Sequence, residues 1–246
     1  MIALFVFLVY IITSLAIVAL RDNLGLSWYL MVLFTIVTTS LQASIVFVIV
    51  LRNKQGLASI GLHKEKIFSA IRLGLLFSLI PITFIAIIPG IVDGFNEIQI
   101  GAILVSFVTT FFFAAHEDVI FVGFIQTRLY GFFKTDKAAI TIGAILFAAM
   151  HIPPWLMMGR FNTDNLIVSI ALNSIGWVLM YFVLVSVFKK YYSLVSVFIL
   201  HTLANFSWNF PQSVTVFGTD ISLVWVVLIV LSACILYSQT NKQSRT

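Results

Sequence analysis

"AILVSFVTTFFFAAHEDVIFVGFIQTRLY", residues 102–130, decides the fold. It is one apolar run, longer than the roughly 20 residues that a helix needs to cross a bilayer. At its middle stand His116, Glu117 and Asp118, with "FFFAA" before them and "VIFVGF" after. The strict alternation of a β-barrel strand is absent, so the run reads as a transmembrane helix. Each charged group near the centre of such a helix costs about 2.5–3.5 kcal/mol. Groups that costly normally face a cavity and mark a site.

The rest of the chain follows the same pattern. Of its 246 residues, 61% are hydrophobic and 9% charged, and the mean hydropathy is +1.11. Soluble domains are nearer half apolar and about a quarter charged. The expected fold is all-α, a polytopic membrane domain over 1–246 with eight spans. These fall at 2–20, 28–51, 68–91, 102–130, 138–152, 166–187, 192–207 and 220–238. The first run lacks a positive n-region and an A-x-A-like site, so it reads as a retained helix and not a cleaved signal. Pro81 and Pro89 are placed to kink or end the third span, and Pro153 and Pro154 to stop the fifth. The single cysteine, Cys234, lies in the last apolar run and has a packing role.

Charge orients the chain. Of the 14 Lys and Arg, twelve fall on one set of alternate loops and ends, at 52–72, 128–137, 189–190 and 242–245; only Arg21 and Arg160 fall on the other. The positive-inside rule puts the rich side in the cytoplasm, with both termini there. The expected location is the cell membrane, multi-pass. The net charge of +5 belongs to anchoring at the inner leaflet, and no nucleic-acid partner is expected. The partners expected are the lipid bilayer and a peptide or membrane-protein substrate.

Few polar residues lie inside the spans. Glu117 and Asp118 are in the fourth, His151 closes the fifth in "LFAAMHIPPW", and His201 and Asn205 are in the seventh in "SVFILHTLANFSW". His201 and Asn205 are four apart and share a helix face, as do Phe147 and His151, and Glu117 and Phe121. Adjacent Glu117 and Asp118 point about 100° apart, so one is expected to face the chemistry and the other to support it. By helical rise, Glu117, His151 and His201 meet in the inner half of the bilayer if the long fourth span tilts or breaks. A lone intramembrane histidine is commonly a packing hydrogen bonder worth under about 1–2 kcal/mol. A glutamate, two histidines and an amide on three helices favour a site instead. His116 shows no partner in the sequence and receives no role. His63, in a basic loop, reads as solvated. The segment "PPWLMMGRFNTDN", 153–165, is expected either to line the site or to form an interfacial loop anchored by Trp155.

Such a set can hydrolyse an amide. Glutamate and histidine together hold and deprotonate a water. A histidine beside an amide side chain supplies two donors for a developing oxyanion. No serine or cysteine sits in a nucleophile setting. Two histidines and a glutamate are also zinc ligands, but H-E-x-x-H is absent, since "HEDVI" has isoleucine at the second histidine position.

Three motifs, in order, resemble the CAAX-protease and bacteriocin-processing family of intramembrane endopeptidases, also called CPBP or Abi. Its first motif, E-E-x-x-F-R-G, is met by Glu117-Asp118-Val119-Ile120-Phe121-Val122-Gly123; its second, F-x-x-x-H, by Phe147 and His151; its third, H-x-x-x-N/D, by His201 and Asn205. The resemblance covers a catalytic core at 115–207. It implies that Glu117 and His151 activate the water, that His201 and Asn205 form the oxyanion site, and that Asp118, Phe121 and Phe147 support them. It favours a site with no cofactor, although a divalent metal such as zinc stays open from the ligand types. Two departures stand out. Asp118 is shorter than the usual glutamate, and Val122 replaces the arginine that would pair with the acids. Arg128 lies about 16 Å along the axis from Glu117, too far to stand in. The alternative function is a family member without turnover, acting in bacteriocin immunity or as a membrane scaffold. A proton-coupled carrier is a third reading, but the paired repeats common in carriers are absent.

Overall fold

The computed structural model describes residues 2–95, 100–161, 163–207, 209–210, 215–216 and 219–220. Its fold is all-α. The helices are α1 (Ile2–Leu24), α2 (Trp28–Arg52), α3 (Ile67–Pro81), α4 (Ile88–Asp93), α5 (Ile100–Glu117), α6 (Gln126–Phe132), α7 (Asp136–Met157), α8 (Leu166–Tyr191) and α9 (Leu194–Ser207). Two π segments, Ile82–Ile87 and Asp118–Ile125, join α3 to α4 and α5 to α6. Among the described residues the extended structure is one two-residue antiparallel pair, Thr215–Val216 with Thr219–Asp220.

Six apolar helical runs are long enough to cross a bilayer, and α9 is a shorter apolar helix of 14 residues. They correspond to the first seven expected spans. The eighth, 220–238, lies outside the described residues together with Cys234. Large apolar side chains face outward around the molecule: Phe68 is 79% exposed and Ile167 84%. In water such a surface would aggregate; in hydrocarbon it is solvated. The protein is a multi-pass membrane protein.

One boundary differs from the sequence reading. Helix α7 does not stop at Pro153 and Pro154 but continues to Met157. The φ that proline fixes is a helical one, so the chain keeps turning. What proline removes is a donor, here for the carbonyls of Ala149 and Met150. The ladder resumes at once, because Met158 N–H bonds the Pro154 carbonyl at 3.0 Å. At its other end α7 starts where Thr135 caps it, accepting from Ala138 N–H at 3.3 Å, with Asp136 in the first turn to complement the dipole.

The basic loops meet at one end. The Arg128 guanidinium donates to Gln55 Oε1, Lys189 pairs with Asp136 at 2.6 Å, and His63 Nε2 donates to the Tyr192 carbonyl at 2.8 Å. Helix α9 packs against α3, α5 and α8. Its approach to α3 is close, since a Cβ at Gly74 would lie 2.7 Å from the Ser196 carbonyl oxygen. Small residues allow this kind of backbone contact between membrane helices. That contact fixes the height of α9, and with it His201.

Candidate active site

Helix α5 delivers Glu117 as its last residue, and the π segment begins at Asp118. All eight residues of that segment are buried. A π turn is wider than an α turn and is frequent at functional sites. It supplies the break that the fourth span needs. Tyr181 on α8 pins it, its hydroxyl lying 3.1 Å from the Phe121 carbonyl and 3.0 Å from Gln126 Oε1. Gly143 on α7 makes room, because a Cβ there would lie 2.8 Å from the Tyr181 hydroxyl oxygen.

Glu117 sits between two imidazoles. Its Oε1 is 3.9 Å from His151 Nε2, and its Oε2 is 3.9 Å from His201 Nε2. Asp118 reaches the other side of the second ring, with Oδ1 2.9 Å from His201 Nδ1. One imidazole on α9 therefore bridges two neighbouring acids on the fourth span. The roughly 100° between those acids is what lets them take its two nitrogens separately. Glu117 is 2% exposed, Asp118 0% and His201 4%. Glu117 Oε2 and Asp118 Oδ2 are buried with no hydrogen-bond partner among the described residues.

The hydrogen bonds fix the tautomers. His151 Nδ1 lies 2.8 Å from the Phe147 carbonyl. A carbonyl only accepts, so Nδ1 carries the proton and Nε2 offers a lone pair. His201 Nδ1–H donates to the Asp118 carboxylate in the same way. Phe147 packs edge-on to His151 with centroids 4.9 Å apart, and to His201 at 6.3 Å. Trp177 of α8 stacks on His151 at 4.5 Å and 15°. Phe121 is fully buried and sits edge-on to Phe147 at 5.6 Å. Both phenylalanines hold the site's frame. Asn205 is on the next turn of α9 after His201 and is half-buried.

A cavity of about 140 Å³ adjoins this cluster, bounded by α1, α2, α5 and α7. Glu117, His151 and His116 line one side; Pro154, Trp155 and Met158 line its end. The start of the 153–165 segment thus lines the site. The position of the missing arginine, Val122, is fully buried in the apolar core. Arg128 is engaged elsewhere, over the Phe124 ring at 4.1 Å and on Thr127 Oγ1 at 2.7 Å. Among the described residues, no three His, Cys, Asp or Glu side chains stand where they could jointly hold a metal ion.

Residues 99–207 match the model of the family described as type II CAAX prenyl endopeptidase Rce1-like. Over that stretch, less than half of the chain, the protein is similar to the CAAX-protease family. The match starts just before α5 and ends with α9, so it holds all three motifs. The Rce1-like family is a peptidase family. No curated protein matches the chain.

Several residues at the candidate site escaped the sequence reading. Tyr10 of α1 is 3.4 Å from His116 Nε2, and the rings stack at 5.8 Å. His116 Nδ1 is 3.3 Å from the Phe112 carbonyl. His116 is thus a partnered wall of the cavity, through a residue 106 positions earlier that no local pattern connects to it. Trp177 carried no signal either. The polar face of α2 did carry one: Thr35, Thr38, Thr39 and Gln42 recur at helical spacing in "TIVTTSLQ" and line the cavity.

Proposed function

We propose that the chain is an intramembrane endopeptidase of the cell membrane, hydrolysing a peptide bond of a membrane-associated protein or peptide precursor by an activated water, without a resident metal. The observation that carries this reading is the placement of the Glu117 carboxylate 3.9 Å from both His151 Nε2 and His201 Nε2 at the edge of a cavity. Glu117 Oε1 and His151 Nε2 are both acceptors. Their separation is too long for a direct hydrogen bond and suits a water about 2.8 Å from each, donating one hydrogen to either side. Glu117 takes a proton from that water, and the oxygen attacks the scissile carbonyl carbon. As the C–N bond breaks, Glu117 returns the proton to the leaving nitrogen. The tetrahedral oxyanion accepts from His201 Nε2–H and the Asn205 amide. For Nε2 to donate while Nδ1–H is given to Asp118, the ring carries both protons, and the Asp118 carboxylate balances its charge.

Val122 favours a second reading. A family member lacking the arginine that pairs with the acids could serve in immunity or as a scaffold without turnover. The test is a comparison of membrane-peptide N-termini in cells making the wild type or Glu117→Gln at matched levels. N-termini that appear only with the wild type support the peptidase. Identical profiles, with any wild-type phenotype kept by the variant, leave the scaffold reading in front.

A further inference from the structure

His151 stands between two acceptors. Its Nδ1 is 2.8 Å from the Phe147 carbonyl oxygen, and its Nε2 is 3.9 Å from Glu117 Oε1. A neutral imidazole has one ring proton and gives it to one side only. The carboxylate is the stronger attractor, because a hydrogen bond to an ionised group is roughly twice as strong as one to a neutral group. A shift of about 1 Å would bring Nε2 within bonding distance of Oε1. The ring would then carry its proton on Nε2 and pair with Glu117 directly. That pair uses up both acceptors that a water between them needs. The structure nonetheless keeps the proton on the carbonyl side and the two groups apart.

Trp177 supplies the restraint. Its indole, on α8, lies face to face with the imidazole at 4.5 Å and 15°, a favourable aromatic separation. Moving Nε2 toward Glu117 draws the imidazole out of register with the indole. The indole is itself boxed in. Trp155 meets it edge-on at 4.9 Å and 86°. Phe161 is buried, and packs on Trp177 at 6.3 Å and on Trp155 at 5.8 Å. The continuation of α7 through Pro153 and Pro154 to Met157 matters here. It places Trp155 one turn beyond His151 on the same helix face, so both α7 rings meet Trp177.

We propose that Trp177 is a positioning residue for His151: its stack keeps the proton on Nδ1 and holds Nε2 off Glu117, at the separation that suits a shared water. The consequence for turnover rests on the peptidase reading; the state of the ring does not.

The test reads the ring itself. The chain has four histidines, His63, His116, His151 and His201, few enough for selective labelling. Full-length protein with ring-labelled histidine is reconstituted in lipid vesicles, and solid-state nitrogen NMR separates protonated from bare ring nitrogens. The signal missing in His151→Gln assigns His151. Wild type is expected to show Nδ1–H and a bare Nε2. Trp177→Phe keeps a stacking ring and should keep that state. Trp177→Leu keeps apolar bulk without the stack. Its ratio of Nδ1–H to Nε2–H should fall about tenfold, the difference in strength between the two competing hydrogen bonds. Trp177→Met, apolar and flexible, serves with the same expectation should the leucine variant fail to fold. Adding Glu117→Leu takes away the competing acceptor and should return the proton to Nδ1. Phenylalanine and leucine variants that behave alike overturn the proposal, as does a wild type with Nε2–H, or a double variant that keeps it. Turnover is read separately, on a substrate found by N-terminal profiling. Trp177→Leu should lower kcat about 10²-fold, the cost of a misplacement of about 1 Å, with KM within about twofold. If the ring responds as expected but the wild type cleaves nothing, the positioning stands and the hydrolytic reading falls. If the wild type cleaves and the ring does not respond, the hydrolytic reading stands and the positioning falls.

Discussion

Two of the described spans contain a π segment, and the two breaks differ in origin. In the third span the wide turn, Ile82–Ile87, follows Pro81 directly. There the covalent structure supplies the cause, because proline withholds the donor that the preceding turn needs. In the fourth span the wide turn, Asp118–Ile125, has no proline. It is held from outside by the Tyr181 hydroxyl on the Phe121 carbonyl, with Gly143 giving Tyr181 its space. The first break bends a helix; the second sets two acids around one imidazole. A break imposed by the chain is robust to its neighbours, whereas a break imposed by packing makes the site hostage to residues that never touch substrate.

Five substitutions separate these cases. Glu117→Gln keeps the size of the side chain and removes the proposed base, so turnover should fall about 10²–10⁴-fold with thermal unfolding unchanged. A rate assay on the substrate found by N-terminal profiling checks this. Asp118→Asn removes the nearer of the two acids that His201 bridges. A loss of about 10–100-fold is expected, the range for groups that orient an active ring, and pH–rate profiles of wild type and variant would show whether the ring is the group affected. Gly143→Leu drives a side chain into Tyr181 and should lower stability by about 1–3 kcal/mol, read by denaturant unfolding in micelles, with activity falling alongside. Tyr181→Phe removes one buried hydroxyl and should cost about 1 kcal/mol. If it leaves both activity and unfolding unchanged, the π segment is not pinned from α8 as described. Pro81→Ala should have the smallest effect on rate, about twofold, while the buried ring and the restored donor move stability by about 1 kcal/mol. A large loss there would mean that the two breaks are coupled.

The sequence was most readable where a property is local. Apolar length located seven helices, and the motif spacing named the residues that meet around Glu117. Depth along each helix also anticipated that a tilt or break in the fourth span was needed for those residues to meet. It did not give the form of that break, because a π turn depends on contacts from α7 and α8 and leaves no mark in the local pattern. Pro153 and Pro154 misled for the opposite reason. Proline's local signal is strong, yet near a helix end two missing donors cost little and the rod continues. Tyr10 and Trp177 were invisible as partners of the site's histidines, since both lie on helices outside the three motifs. The threonine face of α2 was visible as a spacing, but its place on the cavity wall follows from the packing of α1, α5 and α7 around it.

The bridge from Asp118 to His201 joins residues 83 positions apart, and this bears on how the protein is made. Membrane proteins emerge from the ribosome from the N-terminus onward. When the acids of the fourth span enter the bilayer, the ring that will join them has not been synthesised. Under the proposed chemistry, the nascent chain holds a general base without an oxyanion site over those 83 residues, about a third of the chain. It stays inert until α9 inserts and seats against α3. On that reading, delayed completion keeps neighbouring nascent chains in the same membrane from meeting a working site before the fold is finished.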